Sequence, residues 1–208
     1  MEPARKPRAT YRDVIESPAH LVAEIIGGEL RLSPRPATPA AAAATALGDE
    51  LGLPFHRGRG GPGGWLILEE PELHLGDEIL VPDLAGWRRD RLPPLPDASF
   101  LTTPPDWICE VLSTSTENID RSEKLPIYAA SGVPCAWLVD PRRRSLETYR
   151  LHDGTWAAIA AYRDADRARI PPFDAIELDL AVLWAHVARP TGASEEPAYH
   201  TRPTAPGR

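Results

Sequence analysis

PDWICEVLSTSTENIDRSEKLPIYAASGVPCAWLVDP, residues 105–141, is the segment around which the chain is organised. Its pattern predicts strand, loop, helix, strand. Residues 106–112 are almost wholly apolar and read as a strand, with Glu110 in its middle. Side chains alternate along a strand, which puts Ile108, Glu110 and Leu112 on one face and Trp107, Cys109 and Val111 on the other. After a Ser/Thr loop, residues 120–131 read as a short helix stopped by Gly132 and Pro134, with Pro126 either kinking it or marking a late first turn. Residues 135–139 form a continuous apolar run, the mark of a strand covered on both faces. Two buried strands joined by a helix make a right-handed βαβ-like crossover. A carboxylate inside such a strand is costly to bury unless a cation or metal partners it, so Glu110 is the residue to explain.

Composition points to a partner. Of the 23 basic residues only Lys6 and Lys124 are lysines, and the rest are arginines. A chain that writes arginine almost everywhere yet keeps a lysine near its odd carboxylate has use for a compact ammonium, a point charge with a tunable pKa. A solvated helix lysine is the plainer reading of the same fact.

The length of 208 residues suits one domain, expected over 11–188, with a flexible tail over 1–10 and a proline-bearing disordered tail over 189–208. Charged residues at 25% and hydrophobic residues at 42% are ordinary for a soluble globular protein. No run approaches the roughly 18 apolar residues of a membrane span, and the N-terminus has no apolar signal core, so the expected compartment is the cytoplasm. Cys109 and Cys135 fall in predicted buried strands and read as small core residues rather than a disulfide. A net charge of −7 weighs against a nucleic-acid binder. Arg88, Arg89, Arg91 and Arg142 to Arg144 are candidate local patches, although such runs are more often solvated turns.

Around this unit the pattern places a short helix over 11–17, a hairpin of 20–26 and 29–33 across Gly27-Gly28, and an alanine-rich helix over 38–51. The glycine-rich run 58–64 lacks the Lys-Ser/Thr of a phosphate-binding P-loop. Residues 65–75 and 79–87 read as two strands turning at Gly76-Asp77, followed by a long loop over 88–105. A hairpin of 146–151 and 155–162, a short strand over 176–178 and a helix over 180–187 close the domain.

Asp83 is a second acid inside an apolar run, and its bland role is a strand-end cap. If its strand neighbours that of Glu110, the two carboxylates converge on a site for a hard cation such as Mg²⁺. A nearby lysine then orients water or stabilises negative charge. Asp, Glu and Lys around Mg²⁺ make a phosphodiester-cleaving set. Other chemistries fare worse. The six histidines show no metal-ligand spacing and there is no G-x-S-x-G elbow. Ser113, Thr114, Ser115 and Thr116 read as helix caps, and Asp106, Asp120 and Asp140 as turn and cap residues.

VPDLAGWRRDRLP (81–93), PPDWICEVLSTST (104–116), DRSEKLPIYAASGVPCAWLVDPRRRSLETYRL (120–151) and FDAIELDLAVLW (173–184) together resemble the Uma-type restriction endonuclease family. That family belongs to the PD-(D/E)xK nuclease superfamily, and the resemblance runs from about Tyr11 to Ala188. It implies an α/β (α+β) restriction-endonuclease-like mixed β-sheet flanked by helices. It also implies DNA as substrate and Mg²⁺ or Mn²⁺ as cofactor, with Asp83 and Glu110 as metal and catalytic acids. The superfamily's lysine two residues after the acid is Leu112 here, so Lys124 stands as its migrated replacement. Glu24 matches a family glutamate and is the candidate outer carboxylate. A homodimer is compatible with this reading. The rival is a non-catalytic interaction or assembly module that retains the fold, favoured by the acidic net charge and the displaced lysine.

Overall fold

The computed structural model describes residues 7–188. The tail expected from residue 189, and most of that expected before Tyr11, lie outside the described residues. In chain order the first half holds α1 (Tyr11–Ile15), β1 (Leu21–Ile26), β2 (Glu29–Pro34), α2 (Thr38–Leu51), β3 (Trp65–Glu69), β4 (Glu72–Leu75), β5 (Glu78–Leu80) and β6 (Leu84–Arg88). The second half holds β7 (Phe100–Leu101), β8 (Trp107–Val111), α3 (Glu117–Ile119), α4 (Leu125–Ala130), β9 (Cys135–Asp140), β10 (Ser145–His152), β11 (Thr155–Arg163), β12 (Arg167–Ala168) and β13 (Leu178–Asp179). A π-type turn, Gly52–His56, follows α2, a second, Asp120–Lys124, joins α3 to α4, and a 3₁₀ helix, Leu180–Trp184, follows β13.

The fold is mixed α+β, with the β-structure divided rather than gathered in one sheet. Five strands run in the order β2-β1-β5-β4-β7, six in the order β11-β10-β9-β8-β6-β3, and β12 pairs β13 separately. The parallel pair β8–β9 is the expected crossover. The division has a local cause. Residues 65–75 and 79–87, each expected as one strand, are both cut at a proline, Pro71 in the first and Pro82 in the second. Proline lacks the N–H a ladder needs, so pairing ends there. The chain passes from the six-stranded sheet to the five-stranded one at the first cut and returns at the second.

Pro126 acts similarly on the crossover helix. Its ring clashes with the carbonyl four residues back, and the widened turn just before it absorbs the clash, with the Leu125 N–H donating to Asp120 O. The helix expected over 180–187 is the shorter 3₁₀ turn, and the strand expected over 176–178 is β13, one to two residues later.

The alternation expected of β8 is met. Trp107, Cys109 and Val111 join Leu47 and Leu51 of α2, Trp137 and Phe173 in one apolar cluster. Ile108 and Leu112 join Leu80, Leu125, Tyr128 and Leu138 in a second. Phe173 centres the first, its ring 4.8 Å from Phe55 and Trp65 and 4.9 Å from Trp107. Gly86 lets those tryptophans close over β6, because a Cβ there would lie 3.2 Å from Trp107 and 3.3 Å from Trp65. Among the described residues no helix is long and apolar enough to cross a membrane.

Candidate active site

Glu110 projects from β8 on the face it shares with Ile108 and Leu112, which pack in the second cluster. Its relative exposure is 1%, and that of Lys124 is 3%. The Lys124 Nζ lies 2.9 Å from Glu110 Oε1 and 3.0 Å from Glu24 Oε1, and donates to Val81 O at 3.2 Å. Asp120 Oδ1 is 3.8 Å from the same ammonium. Tyr128 donates its hydroxyl to Glu110 Oε1 at 2.7 Å. Asp120, Lys124 and Tyr128 are spaced by four, so the crossover helix presents all three on one side.

Asp83 occupies the break between β5 and β6 rather than the interior of a strand. The β6–β8 ladder pairs Leu84 with Cys109, and Asp83 lies one step beyond it, level with Glu110. Its Oδ2 takes the Val111 N–H at 2.7 Å, so the side chain caps the end of the ladder. Glu24, on β1, accepts the Val81 N–H at 2.8 Å and thus ties the break to both the first sheet and Lys124.

Asp83, Glu110, Lys124, Glu24 and Asp120 line one cavity of about 60 Å³. One water needs roughly 10 to 15 Å³, so several waters or a hydrated cation fit. The four acids face a single buried ammonium. Burial, and then the charge of Glu110, raise Asp83 to about 7. Burial raises Glu110 to about 7 as well, with Asp120 and Glu24 adding repulsion against the opposing pull of Lys124. Asp120 rises to about 6, again chiefly through burial. For Lys124 burial disfavours the charge, but Glu110 and Glu24 outweigh it and hold the ammonium well above its usual range.

These shifts carry a pH dependence. Asp83 and Glu110 have folded pKa values above their ordinary ones, so the folded protein binds more protons than the unfolded chain from about pH 4 to 7. Stability then falls as pH rises. Between pH 5.5 and 8 the metal-free protein should lose on the order of 2 kcal/mol per group, read as a falling melting temperature. Asp83→Asn and Glu110→Gln should each flatten the slope, and a wild-type melting temperature that rises across this window would contradict the assignment.

Several expected residues sit elsewhere. Leu112 is 1% exposed in the apolar cluster and does not line the cavity, which explains why an ammonium is not found there. Asp106 and Asp140 are caps, accepting the N–H of Arg88 and of Arg142. Asp120 was expected with them and belongs instead to the buried cluster. Its signal was the four-residue spacing to Lys124, which equally marks Tyr128. The arginine runs are consumed internally. Arg142 and Arg143 pair with Glu117 and Asp140, Arg91 pairs with Asp106, and Arg89 donates to Trp65 O and His56 O. Among the described residues no group of three or more His, Cys, Asp or Glu is placed to hold a metal ion. Lys124 sits between Glu24 and Glu110, which leaves Asp83 and Glu110 as a two-carboxylate set.

Comparison with known proteins bears on the family and the fold. The family model Uma2, described as "Putative restriction endonuclease", matches residues 9–182. A crystal structure of "a putative nuclease belonging to DUF820" from Anabaena variabilis ATCC 29413 has a similar fold. Its TM-score is 0.68 at 19% identity, covering 85% of this chain and 98% of that one. No curated protein matches the chain.

Proposed function

Because the chain belongs to the Uma2 restriction-endonuclease family, we propose that it is a divalent-metal-dependent endonuclease that hydrolyses DNA phosphodiester bonds. The observation that carries this reading is the pairing of Asp83 and Glu110 at one cavity beside a buried lysine. Each acid has one oxygen engaged by the protein, Asp83 Oδ2 by Val111 and Glu110 Oε1 by Tyr128 and Lys124. Asp83 Oδ1 and Glu110 Oε2 accept no hydrogen bond from the described residues. Two free carboxylate oxygens under excess negative charge suit a hard cation, Mg²⁺ or Mn²⁺, completed by water.

Such a cation supplies Lewis-acid stabilisation of charge at phosphorus and a more acidic water. The protein's part is positional and electrostatic. Asp83 and Glu110 hold the cation, and Tyr128 fixes the Glu110 carboxylate. Lys124 stays protonated, so it stabilises negative charge as water adds to phosphorus and a P–O bond breaks; it does not act as a base. Glu24 is the outer carboxylate, orienting Lys124 and the Asp83 turn. The free, buried Cys109 and Cys135 fit a reducing cytoplasm.

A non-catalytic module is the second reading, favoured by the full enclosure of Lys124 among acids. Supercoiled plasmid incubated over a Mg²⁺ and Mn²⁺ titration separates the two. The expected result is nicked and linear DNA with metal and none with EDTA. Intact plasmid at every metal concentration, from protein that is folded, would leave the second reading.

A further inference from the structure

Five acids line the cavity, Glu24, Glu70, Asp83, Glu110 and Asp120, against two cations, Lys124 and Arg35. Lys124 is enclosed, so Arg35 is the accessible positive charge of the lining. Its side chain, just beyond β2, is 54% exposed and its Nη1 lies 2.8 Å from Glu70 Oε2. Arg35 Nη2 and Nε donate no hydrogen bond among the described residues, so half of the guanidinium fork is free. Glu70 sits at the break between β3 and β4 with φ of 44°, a left-handed conformation that glutamate adopts only at a cost. Pro36 and Ala37, which lead into α2, line the same cavity, and the first turn of α2 carries no acidic side chain.

We propose that Arg35 is the phosphate clamp of this site, held in waiting by Glu70, and that a DNA phosphodiester displaces Glu70 from it. The proposal rests on the nuclease reading above. A solvent-exposed ion pair with one contact contributes little, so exchange is easy. A phosphate offers two oxygens in the plane of the fork, and such bidentate, charge-assisted bonds are the stronger kind. An otherwise acidic cavity needs such a cation before it can admit a polyanion.

Fluorescence anisotropy of a labelled DNA oligonucleotide in Ca²⁺, alongside cleavage in Mg²⁺, tests this. Arg35→Ala should weaken binding about 10-fold and reduce the salt slope of log K by about one. Arg35→Lys should recover part of the affinity, since it keeps the charge and loses the fork. Glu70→Gln should tighten binding severalfold in wild-type background and not in the Arg35→Ala background. Unchanged affinity and salt slope for Arg35→Ala, or an equal Glu70→Gln gain in both backgrounds, overturns the clamp while leaving the nuclease intact. Wild-type protein that neither binds nor cleaves DNA overturns both.

Discussion

Lys124→Ala is expected to lower DNA cleavage by about 10²-fold or more, the scale of losing one transition-state donor. It should also destabilise the protein at neutral pH. Among the described residues the ammonium is the sole buried countercharge to Glu24, Glu110 and Asp120. Removing one side of a buried ion pair costs about 3 to 5 kcal/mol, because the remaining charge is left without compensation. The acids can answer by taking up protons, so the loss should be larger at pH 8 than at pH 5.5. Urea denaturation at both pH values measures it, and cleavage is compared at a urea-free pH where circular dichroism reports a folded variant. Lys124→Arg keeps the charge but forces a larger planar group into a nearly closed cage, so activity should fall sharply with a smaller stability loss. A Lys124→Ala protein that is fully active on supercoiled DNA would remove the lysine from the mechanism.

Asp83→Ala and Glu110→Ala should each reduce metal-dependent cleavage to background. Their stability effects separate a metal site from a structural one. In metal-free buffer above pH 7, loss of either acid relieves repulsion within the cluster, so the melting temperature should hold or rise. Wild-type protein with cation at a hundredfold excess over its dissociation constant should gain about 2.7 kcal/mol of stability. Either variant should lose that gain. Glu110→Ala also strands the Tyr128 hydroxyl, so Glu110→Gln, which keeps an acceptor, is the cleaner probe of charge. Variants that unfold in the absence of metal, Glu110→Gln included, would make the acids structural.

Much of this site was legible in local sequence because its signals are local. Period-two alternation assigns Glu110 to the face of Ile108 and Leu112, and packing keeps it there. The scarcity of lysine singled out Lys124, and the apolar run after Gly132 located β9 beside β8. The hairpin at Gly27-Gly28 followed from two glycines whose φ values are 63° and 80°.

Local pattern thus specifies the crossover unit and the identity of its charged residues, whereas the distant groups that meet them are chosen by how the two sheets pack. Glu24 reaches Lys124 across a separation of 100 residues, and Asp83 reaches Val111 across 28. No periodicity encodes such a meeting. Pro71 and Pro82 were visible as residues, yet whether a proline bends one strand or hands the chain to another sheet depends on which neighbours offer hydrogen bonds. Asp120 illustrates the same limit. A helix-start aspartate is ordinarily a solvated cap, and it becomes part of a buried charge cluster only because two sheets and a helix close around it, where removal from water makes every charge depend on its neighbours.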